Sequence, residues 1–149
     1  VRRGFLQTLL IMLVIFAICL TVGLLLSIGG AYQYIFMSAD KVSEASITYG
    51  NIYIYVDLFT YAILGFLFVS RSGTQGVMHP EYVLIAGISE LVARVLICYF
   101  LPAAVEGHAI AAGASNLAFA TLCAGDPGAW LAASLVLLIP TFKYMVNKE

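Results

Sequence analysis

Glu90 and Arg94 stand four residues apart inside Tyr82–Ala104, YVLIAGISELVARVLICYFLPAA, a stretch that is otherwise apolar. On a helix that spacing stacks them one turn apart on one face. At about 1.5 Å per residue, the stretch is long enough to cross a bilayer as a single helix. An ionisable group at that depth is costly unless it is paired or faces a wet cavity. A carboxylate beside a guanidinium there can take up a proton or cation, or give one up as a substrate arrives.

Asp57 interrupts a second apolar stretch, Ile52–Ser70. With Ser70 and Tyr82 level at one membrane face, Asp57 lies about 20 Å in, Arg94 about 18 Å and Glu90 about 12 Å. Antiparallel neighbours then put Asp57 level with Arg94, with Glu90 one turn below. The expectation is an Asp57–Arg94–Glu90 cluster with Arg94 as its hub. Such a cluster either moves protons or ions, or pins two helices together; a third reading has Asp57 facing outer water without contacting Arg94, and the residues alone leave all three open. Tyr49, Tyr53, Asp57, Tyr61, Leu64 and Phe68 recur at steps of three to four, an aromatic and acidic stripe on the same helix. The stripe reads either as the wall of a cleft for a lipophilic cation, with Tyr53 and Tyr61 beside Asp57, or as an interfacial belt at Tyr49 and Tyr53 with ordinary helix packing below. For Tyr49 an interfacial belt is the simpler reading.

Other polar residues have plainer readings. Arg71 and Gln75 fall at a short turn, where Arg71 reads as a topology anchor. Trp130 reads as an interfacial anchor. His79 and His108 have no second ligand at metal spacing, so no metal site is expected. Cys19, Cys98 and Cys123 have no CxxC spacing and read as small buried hydrophobes. No catalytic motif appears, so neither an enzyme nor a resident cofactor is expected.

Composition says what must hold these residues. The chain has 149 residues, 62% hydrophobic and 10% charged, with mean hydropathy +1.01. No soluble fold of this length hides that much apolar surface, so its solvent is lipid. The net charge of −1 and the lack of a basic run argue against nucleic acid. The reading is an all-α integral membrane protein, one membrane domain over residues 1–149. Spans are expected at about 5–30, 52–70, 82–104 and 129–146. A turn covers 71–80, and outer loops cover 38–48 and 105–128. Gly29–Gly30 ends or bends the first span, and Ser38 or Asp40 is a candidate helix cap. Residues 105–128 suit a re-entrant piece, a loop, or an extension of the last helix. Arg2, Arg3, Arg71, Lys143 and Lys148 fall on one side, so both ends are expected in the cytoplasm. A start at Val1 leading straight into a span suggests a piece of a longer protein.

The motifs resemble those of a known family. They are Phe36–Tyr49 in loose form, Arg71-Ser72-Gly73-Thr74-Gln75-Gly76, Glu90–Arg94 and Pro127-Gly128-Ala129-Trp130. In this order they resemble the last third of a multidrug and toxic compound extrusion (MATE) transporter, spans nine to twelve of twelve. The resemblance implies four helices, a partial second lobe of a two-lobe transporter in a plasma membrane (the bacterial inner membrane). It implies H⁺- or Na⁺-coupled export of lipophilic or cationic drug-like molecules. The partners would be membrane lipids and the remaining spans of the parent chain. Asp57 lies nearer the outer end than the family's cation-binding acids, and Val105–Ala118 is longer than the family loop. The alternatives are a lipid-linked flippase of the same superfamily, or a free-standing four-span protein acting as a small exporter or non-transport subunit. The small-exporter form usually carries its essential Glu in the first span, and Phe5–Ile28 holds no acid.

Overall fold

The computed structural model describes residues 2–106 and 115–146, and these are helical throughout apart from short connections. Four stretches are long and apolar enough to cross a membrane: Arg2–Phe36, Glu44–Gly76, Pro80–Val105 and Asn116–Val146. Inside lipid every backbone N–H and C=O must be satisfied within its own segment, and a helix does this.

The first stretch is not one rod. Helix α1 (Arg2–Ser27) leads through a 3₁₀ turn at Ile28–Gly30 into the short α2 (Ala31–Phe36). Gly29 and Gly30 have φ of 63° and 70°, a left-handed conformation that side chains with a Cβ resist. Met37 and Ser38 then extend before a second 3₁₀ turn at Ala39–Lys41.

Helix α3 (Glu44–Gly76) starts earlier and ends later than the span expected at 52–70. Its start is set by a capping box: the Ser43 hydroxyl accepts from the Ser46 N–H, and the Ser46 hydroxyl accepts from the Ser43 N–H, both at 3.1 Å. That box takes the second half of the connection expected at 38–48 into the helix. At the far end, helix continues through Arg71 to Gly76, so the expected turn at 71–80 shrinks to Val77–His79. Met78 turns the chain with φ 64°.

Helix α4 (Pro80–Glu106) returns antiparallel, opened by a proline whose missing N–H costs nothing in a first turn. After it, α5 (Asn116–Cys123) and α6 (Gly125–Pro140) follow one another through Ala124, which is itself in helical conformation. Of the stretch 105–128, residues 105 and 106 finish α4 and residues 116–128 extend the last span. Residues 107–114, with His108, lie outside the described residues. Pro140 lacks the N–H an α-helix needs, and a π-helix, Thr141–Val146, follows it.

Helix α3 is the central rod. On one side it packs along α1, Met12 seating at Gly65 and Leu58 at Gly23. On the other side Leu67 of α3, Ala86 of α4, and Trp130, Ala133 and Leu137 of α6 form the buried core. Small residues let these helices close, and contact between well-fitted side chains, not water exclusion, holds helices together in lipid. Trp130 is only 8% exposed. It serves the core, not a headgroup belt, because α5 and the first turn of α6 carry the span well beyond it.

Candidate functional site

Four charged residues form an alternating ladder across α3, α4 and α6. Arg71 Nη2 donates to Glu90 Oε2 at 2.6 Å. Arg94 Nη2 lies 3.4 Å from Glu90 Oε1 and 2.9 Å from Asp126 Oδ1. The order is cation, anion, cation, anion, with two tight rungs joined by one loose rung.

Each rung comes from local structure. Arg71 sits near the end of α3, and its long side chain reaches back along the helix toward Glu90. Glu90 and Arg94 are ten and fourteen residues past Pro80, about 15 and 21 Å along α4. Asp126 lies in the first turn of α6, where the helix dipole favours a carboxylate. Glu90 and Arg94 therefore lie in the middle third of α4, where a lone charge is most costly. Pairing offsets that cost, and it also ties α4 to both neighbours.

The ladder is not sealed. Arg71, Gln75, Glu90 and Arg94 line a groove of about 670 Å³ along α4. The Arg94 side chain keeps 43% of its surface exposed. The Nε atoms of Arg71 and Arg94 are buried with no hydrogen-bond partner. These two cations hold unused donor capacity beside an open groove.

The expected cluster is therefore rearranged. Arg94 joins two acids as anticipated, but its second acid is Asp126, not Asp57. Glu90 is a hub too, because Arg71 is an ion-pair partner and not only an anchor. Asp57 forms no ion pair among the described residues. It is 5% exposed, with Oδ1 unpartnered, and it interacts with the Tyr53 hydroxyl one turn earlier. Asp57, Tyr53 and Tyr61 line a different cavity, between α1 and α3. Tyr61 also faces Trp130, ring centroids 6.0 Å apart.

The remaining sequence-singled residues fall elsewhere. Gly76 ends α3. Tyr49 packs edge-on against Phe119, at 4.9 Å between centroids. His79 pairs with Glu81 at 2.7 Å and stacks on Tyr144 at 4.1 Å, bracing the α3–α4 turn. Among the described residues no group of three His, Cys, Asp or Glu converges as a metal site would. Cys98 donates weakly to the Leu122 carbonyl at 3.7 Å, where α4 meets α5.

Two contributors escaped the sequence reading. Tyr32 reaches the α1–α3 cavity only because Gly29–Gly30 turns α2 toward it. Asp126 had a usable signal in the Asp126-Pro127 pair, which marks a helix's first turn, where an acid is favoured. Comparison with protein-family models, with curated proteins and with solved structures finds no match to this chain.

Proposed function

We propose that the chain is the ion-coupling part of a membrane exporter: four spans of the second lobe of a MATE-like antiporter that expels lipophilic or cationic molecules in exchange for H⁺ or Na⁺. The observation that carries this reading is the Arg71–Glu90–Arg94–Asp126 ladder beside a polar groove, with Glu90 and Arg94 midway along α4.

Coupling needs a charged group whose loading changes helix contacts. Glu90 fits that need. Its two oxygens hold different arginines, one on the neighbouring helix and one on its own. A proton or cation reaching Glu90 through the groove would cancel its charge and weaken both contacts. Arg94 then has Asp126 as its sole acidic partner, at the already shorter distance of 2.9 Å. The α3–α4 contact loosens while the α4–α6 contact stays, which is a change in helix packing driven by one binding event. Arg94 does not lose its charge in this sequence, since a guanidinium stays protonated in proteins.

The test is export of ethidium from proteoliposomes holding the full protein, driven by a pH gradient or, separately, a Na⁺ gradient. Glu90→Gln, Arg94→Ala and Asp126→Asn should each cut gradient-driven export at least tenfold while the protein still inserts and stays helical. Undiminished export in all three would reduce the ladder to a static pin. Export with neither gradient, or none with unaltered protein, would remove the antiporter reading.

A further inference from the structure

The ladder leaves one membrane carboxylate unused. Tyr53, Asp57 and Tyr61 follow one another up α3 at four-residue steps, and α1 stands opposite them with Val22 and Leu26. Between the helices is a cavity of about 380 Å³ with mostly apolar walls. Asp57 is the one charged side chain lining it among the described residues. It is 5% exposed, and its Oδ1 has no hydrogen-bond partner.

A carboxylate set among mostly apolar walls is expensive unless a positive charge stands beside it. Its neighbours say which positive charge suits it. Tyr32, Tyr53 and Tyr61 bring three phenol rings to the same cavity. Ring faces are negative, so they add to the carboxylate's preference for a cation and repel anions. Calcium wants six to eight oxygen ligands and magnesium an octahedron of them, and this mostly hydrocarbon cavity has too few. A cation that brings its own carbon surface suits it: the ammonium pole beside Asp57, the hydrocarbon against the rings and α1.

The roof of the cavity is held by hydrogen bonds. Gln33 Nε2 donates to the Ser46 carbonyl at 2.5 Å and to the Tyr32 hydroxyl at 3.0 Å. The Ser46 hydroxyl donates back to Gln33 Oε1 at 2.8 Å. Gly50 lies directly beneath, and a Cβ there would strike the Tyr32 hydroxyl and come within 2.8 Å of Gln33 Nε2. One glutamine on α2 therefore fixes Tyr32 over the cavity.

We propose that this cavity binds a monovalent organic ammonium ion, with Asp57 as counter-charge, Tyr53 and Tyr61 as ring walls, and Tyr32 as cap. The inference rests on the export reading by naming the residues that would hold its cargo. Binding is measured without transport, so the two can fail separately.

The probe is phenyltrimethylammonium, titrated calorimetrically into the full protein in nanodiscs, with empty nanodiscs subtracted. Its neutral counterpart of the same shape, tert-butylbenzene, is titrated in parallel. One site is expected, with affinity for the cation at least tenfold above the neutral compound. Asp57→Asn should weaken the cation at least tenfold, and Tyr53→Leu at least threefold. Equal affinity for cation and neutral isostere, unchanged binding in Asp57→Asn, or no binding at all would each overturn the proposal. If Asp57→Asn fails to fold, the isostere comparison on unaltered protein still decides. Ammonium binding without ladder-dependent export would leave the site and sink the coupling reading; ladder-dependent export without ammonium binding would do the reverse.

Discussion

Arg71 and Glu90, nineteen residues apart in sequence, meet at 2.6 Å between α3 and α4. The His79–Glu81 pair and Met78 close the turn below them. Both partners are largely enclosed, with 25% and 20% of their side chains exposed. The bridge is thus neither a surface ion pair nor a sealed one, a position that lets one added charge alter it.

Removing that bridge should cost stability as well as export. Glu90→Gln removes the negative charge and one of the two acceptor oxygens that Arg71 and Arg94 share, a loss of about 1.5–3 kcal/mol for a hydrogen bond to a charged group. Thermal unfolding in nanodiscs should show it. The exchange Arg71→Glu with Glu90→Arg should recover part of the loss, and no recovery would mean the groove favours one polarity.

Arg94 and Asp126 should behave as one unit. Arg94→Ala and Asp126→Asn each break the 2.9 Å rung, so the double variant should be little worse than either alone. A coupling energy of about 0.5 kcal/mol or more, from the four unfolding curves, is expected. Strict additivity would show that the pair does not interact.

Trp130 should report a buried core. It packs with Leu67, Ala133 and Leu137 and is the chain's only tryptophan. Its emission should resist quenching by bromine placed at the lipid headgroup, where an interfacial tryptophan would be quenched strongly. Trp130→Ala should destabilise by about 3–5 kcal/mol, the usual cost of emptying a large core site.

The Gln33–Ser46 clasp should govern the first turn of α3. Gln33→Ala removes the bonds from Gln33 Nε2 and one of the two acceptors within reach of the Ser46 hydroxyl, the Ser43 carbonyl being the other. Amide exchange over residues 44–50 should then quicken several-fold, with residues 60–70 unchanged. Ser43→Ala, which removes the cap acceptor, should have the same local effect at about 1 kcal/mol. Uniform quickening along α3 would instead point to a general loss of packing.

Much of the architecture was legible in the residue order. Four long apolar stretches in 149 residues leave helix as the available form in lipid, and the glycine pair marked the break after α1. Helix ends were harder. Ser43 caps α3 through Ser46, whereas Ser38 and Asp40 had looked equally able, because a cap is decided by backbone angles that each of these residues can adopt. Depth counting put Asp57 and Arg94 on one level. Level is not direction, however, and rotation about each helix axis sent their side chains to different sites.

The sequence by itself determined that charged groups sit inside apolar helices, and that Glu90 and Arg94 share a face. Both follow from composition and from the 3.6-residue period. Only the tertiary structure decided the partners: Arg71 for Glu90, Asp126 for Arg94, and the tyrosine cavity for Asp57. The reason is geometric. A helix fixes where its own residues lie relative to one another, while pairing across helices depends on axial offset, rotation and side-chain reach, and these arise only when the core of Leu67, Trp130 and Leu137 packs.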